Sequence, residues 1–213
     1  MTAAATDLPL LNVTYFKGEP PTIDGNLDDV AWKEAAVVDA TKLEMGGTAK
    51  QKMRLFLTRN DTTLFIGVQC FEDEAALKTL KTTVTSNGVD QIWEDDSVEL
   101  FLDPTNRRKQ YYHIIVNSKG YHWDVFDTSP SVFDKSWKSQ AVVAAKVGKD
   151  SWSIEVAIPF ASLDRSDIFD AEWAFNVLHT RTAASELIYW SPVLNKSSHR
   201  PERFGRLNGM PKK

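Results

Sequence analysis

Residues 93–104 read WEDDSVELFLDP. From Ser97 the stretch alternates: Val98, Leu100 and Leu102 fall on one face of an extended chain, and Ser97, Glu99, Phe101 and Asp103 on the other, until Pro104. The same period of two recurs on both sides. Tyr112, Ile114 and Val116 alternate with Tyr111, His113, Ile115 and Asn117. Upstream, Met53, Leu55 and Leu57 alternate with Arg54 and Phe56, and LFIGVQC (64–70) follows the turn-forming RNDT. Downstream, Trp152, Ile154, Val156 and Ile158 share a face up to Pro159, and Trp173, Phe175, Val177 and His179 form another set. Short alternating strands bounded by Asn, Gly, Asp and Pro predict an all-β fold, an antiparallel β-sandwich of two sheets. Helix is expected only in short pieces: over 27–36 with Asn26 as its cap, over 74–81, and in FASLDR after Pro159.

No repeat, low-complexity run or linker divides the 213 residues, so a single domain spanning 1–213 is expected. A net charge of -4 gives no basic footprint, which argues against nucleic acid as a partner. The lone cysteine, Cys70, sits in an apolar run and reads as a buried, inert thiol; it excludes an internal disulfide framework. No apolar run approaches the roughly 18 residues of a membrane-spanning helix. The N-terminus, MTAAATDLPLL, lacks the basic and apolar regions of a signal peptide. GxSxG, HExxH, GxGxxG and Walker signatures are absent, and His113, His122, His179 and His199 show no HxH or HxxxH spacing.

The acidic start of the opening stretch admits several chemistries. Two carboxylates can form a glycosidase pair, but Glu94, Asp95 and Asp96 are consecutive and such pairs usually come from different strands. Glu72 and Asp73 after one strand, with Asp96 before another, offer oxygen ligands to a hard cation such as calcium; a solvated acidic loop is the plain alternative. A sugar platform needs an aromatic plane beside planar hydrogen-bonders. Trp93 beside Glu99 supplies both, although tryptophan is also a common core residue.

The ordered set PPTIDGNLDDVAWKEA, WEDDSVELFLDP, YYHIIVN, WSIEVAIPF, AFNV and ERFGRL resembles carbohydrate-binding module family 9, over about residues 20–207. The resemblance implies a sandwich that binds sugars, often at chain ends, without catalysis. It also implies structural calcium, a polysaccharide-degrading enzyme as companion, and an extracellular or periplasmic setting. By the same resemblance the stacking tryptophan falls on Trp93, the acidic hydrogen-bonder on Glu99 and an amide on Asn176, with Glu72, Asp73 and Asp96 near the calcium positions. Two positions depart from the family pattern: Ser198 stands where a second sandwiching tryptophan is expected, and Ile115 where an arginine is. Tyr111, His113, Trp123, Trp190 and His199 are the side chains that can rebuild the site, whereas Trp32, Trp152 and Trp173 fall on framework or apolar positions and read as core.

Two alternatives use the same sandwich. One is a haem-binding electron-transfer domain, with Met45 or Met53 and a histidine as axial ligands. The other is a structural domain whose sugar site has decayed.

Overall fold

The computed structural model describes residues 8–129 and 132–213. Residues 1–7, which hold most of the N-terminal segment tested above for a leader, lie outside the described residues. In chain order the strands are β1 (Leu10–Asn12), β2 (Thr14–Tyr15), β3 (Ala36–Leu43), β4 (Thr48–Arg59), β5 (Thr63–Phe71), β6 (Ser97–Asp103) and β7 (Tyr111–Asn117). They continue with β8 (His122–Ser129), β9 (Val132–Asp134), β10 (Val142–Val147), β11 (Ser151–Pro159), β12 (Glu172–Arg181), β13 (Glu186–Tyr189) and β14 (Gly205–Asn208).

Hydrogen bonding runs continuously in the order β10-β11-β5-β4-β3-β13-β12-β6-β7-β8-β9, antiparallel throughout. The path doubles over at its thinnest point, where β3 and β13 share only the pairs Leu43–Ile188 and Lys42–Tyr189. The layer β10-β11-β5-β4-β3 thereby faces the layer β13-β12-β6-β7-β8-β9. Two short parallel contacts, β1 on β14 and β2 on β4, tie the N-terminus down.

The core lies between the layers and is made of the alternating residues. Met53, Leu55, Leu57, Ile66 and Val68 meet Val98, Leu100, Leu102, Tyr112, Ile114, Val116, Phe175 and Val177 in one buried cluster. Each such aliphatic side chain contributes about 1.5–3 kcal/mol when removed from water. Trp32, Trp152 and Trp173 are fully buried, as their positions predicted. Cys70 is buried and unpaired. Met53 is buried in this cluster, which gives it a packing role, and Met45 is exposed.

The helices are shorter than the sequence suggests. The expected helix over 27–36 is a single turn, α1 (Val30–Lys33), that begins after Asp29, and the side chain of Asn26, the expected cap, turns back to Asp24. The expectation over 74–81 reduces to α2 (Glu74–Leu77), and that after Pro159 to a 3-10 turn, Phe160–Ser162. Tertiary contacts override local propensity here. Trp32 leaves its turn to pack with Phe65 and Ala157 on the sheet's outer side, and its indole N–H donates to the buried carboxylate of Glu155 (2.6 Å). The same carboxylate accepts the backbone N–H groups of Asp24 (2.8 Å) and Gly25 (2.6 Å). Gly25 has φ +90, and a Cβ there would stand 2.8 Å from the backbone of Ala145, so the turn requires glycine. One acid on β11 therefore holds the whole N-terminal motif against the sheet.

His179 points inward from β12 against Trp152, with ring centroids 5.4 Å apart, and among the described residues neither ring nitrogen has a hydrogen-bond partner. Burial, reinforced by the charge of Arg181, lowers its pKa to about 3.

Two outcomes follow from these contacts. Glu155→Ala leaves buried donors of Gly25 and Trp32 without an acceptor and should destabilise the fold by about 3 kcal/mol in chemical denaturation; a change under about 1 kcal/mol would contradict the clamp. In the unfolded chain His179 takes up a proton as pH falls below its ordinary value of 6.5, but the folded chain does not until about pH 3. Stability is therefore lost as pH falls through this window, and between pH 6 and pH 5 the native chain should lose about 1 kcal/mol more than His179→Gln. Equal losses in the two proteins would show that His179 does not carry this linkage.

Candidate functional site

The outer face of β6 and β7 carries a cavity of about 540 Å³. Its lining includes Trp93, Glu99, His113, Trp123, Phe133 and His199. Trp93 sits on a 3-10 turn, Asp90–Glu94, that the sequence folds by opposing demands on neighbouring residues. Ile92 is buried in a small cluster with Val84, Ile115, Trp123 and Val125, which directs the next side chain outward. Trp93 is 56% exposed, whereas the other six tryptophans are buried. An aromatic of that size left in water beside a cavity is a feature that core packing does not explain.

The acids after Trp93 fix the platform. Asp95 is buried and accepts from the N–H (2.8 Å) and hydroxyl (2.7 Å) of Thr83, the N–H of Val84 (3.1 Å) and the Asn117 amide (3.0 Å). Burial alone pushes this carboxyl up, but the donors of Thr83, Asn117 and Val84 outweigh it and hold it below the usual carboxylate range. Asp96 accepts from the Lys81 N–H (2.6 Å) and from the N–H (2.9 Å) and hydroxyl (2.5 Å) of Thr182. The acid cluster is thus a set of staples joining the turn to the segments around residues 81–84 and 182.

The floor is built from β6 and β7. Phe101 stacks on the His113 ring at 4.3 Å and 18°, and Glu99 Oε2 lies 2.8 Å from His113 Nε2. A carboxylate only accepts, so Nε2 carries the proton. His199, from the segment after β13, places Nδ1 2.7 Å from the Tyr111 hydroxyl. Burial pulls the His199 imidazolium down, but the Asp127 carboxylate and the charge of Glu99 more than offset this and raise it above its ordinary value.

The structure gathers Trp93, Glu99, His113 and His199 around one cavity and leaves two other expected residues outside it. Tyr111 is fully buried beneath the floor and reaches the cavity only through His199. Asn176 is on the same outer face of β12 but buried, with its amide donating to Ser191 C=O (2.9 Å) and its oxygen accepting from the N–H groups of Val177 and Ser191. It positions the chain after β13 and is not a free hydrogen-bonder. Trp190 is also lost to the site: it packs over Gly205, where a Cβ would fall 2.5 Å from its ring. Ser198 lines the cavity, with its hydroxyl 2.8 Å from that of Tyr189. Sequence reasoning missed Phe133, 41% exposed on the short edge strand β9, because VFD carries no alternation long enough to assign a face.

The three expected calcium ligands are not assembled. Glu72 is gripped by Arg181 through two bonds of 2.7 Å, Asp73 accepts from the Gln51 amide (2.9 Å), and Asp96 holds Lys81 and Thr182. Arg181, which also bonds Glu186, supplies the counter-charge at Glu72 that a cation would otherwise supply. This donor set does not fit a shared calcium ion.

A shallower groove of about 510 Å³ continues from the cavity. It shares Trp93, Glu94, Glu99 and Ser198 with the cavity and runs over Leu178, Thr180 and Leu187.

Comparison with known proteins agrees with this architecture. A family model described as "Carbohydrate family 9 binding domain-like" matches residues 23–209. Endo-1,4-beta-xylanase A of Thermotoga neapolitana is 23% identical over 197 residues, which cover 92% of this chain and 17% of that protein. The Thermotoga maritima enzyme of the same name is 24% identical over 205 residues, with the same coverages. The chain thus spans about a sixth of the length of the curated relatives it matches. Among solved structures, a family 9 module from Caldicellulosiruptor kristjanssonii in complex with cellotriose superposes with a TM-score of 0.65 at 18% identity, over 95% of each chain. A putative carbohydrate-binding protein from Bacteroides uniformis gives 0.73 at 14% identity, over 94% of this chain and 99% of that one. Since the family match runs through nearly all of the sandwich, the chain belongs to the carbohydrate family 9 binding domain-like family.

Proposed function

We propose that the cavity binds the end of a β-linked oligosaccharide, with Trp93 as the stacking face. Carbohydrate binding without catalysis is the function that family membership carries. The observation behind the finer reading is the single exposed tryptophan beside the buried Glu99–His113 pair. A flat apolar face next to a fixed acceptor suits a pyranose, which offers a C–H face and equatorial hydroxyls. Because the groove over Leu178 and Leu187 shares Trp93 and Glu99 with the cavity, the cleft is longer than one ring. Cellotriose and glucose are bound by the Caldicellulosiruptor module, which makes them the first probes here. Phe133 and Trp123 provide the aromatic surface that Ser198 does not.

Both curated relatives are xylanases much longer than this chain, so we read the chain as a module that holds a polysaccharide-degrading enzyme to its substrate, outside the cytoplasm. Calorimetric titration tests the site. Cellotriose should bind about tenfold or more tightly than glucose, and Trp93→Ala should weaken cellotriose by about tenfold or more, with Phe133→Ala having a smaller effect. Unchanged affinity in Trp93→Ala would remove Trp93 from the site.

A further inference from the structure

Beneath the cavity, His113 on β7, Asp127 on β8 and His199 on the segment after β13 converge, each offering one donor atom within 4.8 Å of the other two. Asp127 Oδ2 is 3.6 Å from His113 Nδ1, and Oδ1 is 3.5 Å from His199 Nδ1. The first is too long for a hydrogen bond and the second lies at the outer limit of one. Asp127 is fully buried, and among the described residues neither of its oxygens has a hydrogen-bond partner, nor does His113 Nδ1. A buried carboxylate without donors is strongly disfavoured. The bond from His113 Nε2 to Glu99 sharpens the conflict, because in the neutral ring it leaves the Nδ1 lone pair turned toward the carboxylate.

A cation among the three groups resolves this. Around an ion with bonds of about 2.0–2.2 Å, neighbouring tetrahedral ligands stand about 3.4 Å apart; here each imidazole nitrogen is 3.5 or 3.6 Å from one Asp127 oxygen, and the three donor atoms lie within 4.8 Å of one another. Two imidazoles and one carboxylate are the donors of zinc and its neighbours in the first transition row, whereas calcium takes oxygen. Glu99 then acts as the outer carboxylate that orients a ligating histidine. The Tyr111 hydroxyl, now on His199 Nδ1, gives up that nitrogen and remains beside the ion as a further oxygen donor.

We infer that His113, Asp127 and His199 form a binding site for a divalent transition metal, zinc by its donor chemistry, which ties the segment carrying Ser198 and His199 to β7 and β8. The site shares His113, His199 and Glu99 with the carbohydrate cavity, and its test contains no sugar, so the two readings can fail separately. Protein stripped with chelator is titrated with zinc by calorimetry and with cobalt by visible absorption. The expected result is one ion per chain with the d–d bands of a low-coordinate cobalt site, and affinity weakened more than about tenfold in both Asp127→Asn and His199→Ala. Circular dichroism establishes that each variant is folded; should the buried Asp127→Asn fail, the half-buried His199→Ala decides alone. Absence of binding to the native chain, or undiminished binding by a folded His199→Ala, would overturn the site. Cellotriose titration of the stripped protein separately reports the sugar site.

Discussion

Along β6, Val98, Leu100 and Leu102 are sealed by the opposite sheet, while Ser97, Glu99, Phe101 and Asp103 are sealed by the loops and segments that cross the outer face. A strand buried on both sides obliges the chain to supply two covers. The first is the sandwich core. The second is the layer formed by the Trp93 turn, β9 and the segment from Trp190 to Phe204, and the cavity lies where that layer does not close. Its polar floor follows from the same constraint: Glu99 and His113 are diagonal neighbours on β6 and β7 and must satisfy one another in a space with little water.

Strand faces were legible because the alternation has a strict period of two, and the inward sets of β4, β6, β7, β11 and β12 are the ones the pattern assigns. Helix lengths were not legible, because Trp32 and its neighbours answer to the sheet beneath them and to Glu155 on a distant strand. The family motifs prove to be in contact. PPTIDGNLDDVAWKEA meets WSIEVAIPF through Glu155, and the glycine of ERFGRL makes room for Trp190. The contacts of Glu155 join residues more than a hundred positions apart and leave no trace in local spacing.

At the site, Trp93 and Glu99 line the cavity, while Asp95 and Asp96 between them accept backbone N–H groups. A run of carboxylates looks alike whether it holds a cation or caps backbone donors; what separates the two is where the N–H groups of Thr83, Val84, Lys81 and Thr182 point. Asn176 and Glu72 illustrate the same ambiguity. Each carries a side chain suited to a ligand, and each is already spent inside the protein, on Ser191 and on Arg181.

One exposed ion pair, Lys135 to Asp90 at 3.0 Å, joins the β9 side of the cavity to the turn bearing Trp93. Both side chains are wet, so the pair contributes about 0–1 kcal/mol and fades with added salt. The aperture is therefore soft and the depth is stiff. A molecule can part the rim at little expense, yet it gains selectivity only if its hydroxyls descend to Glu99 and His113, whose geometry is held before it arrives. Discrimination among ligands is set at the bottom of the cleft, and ionic strength governs how freely they pass its mouth.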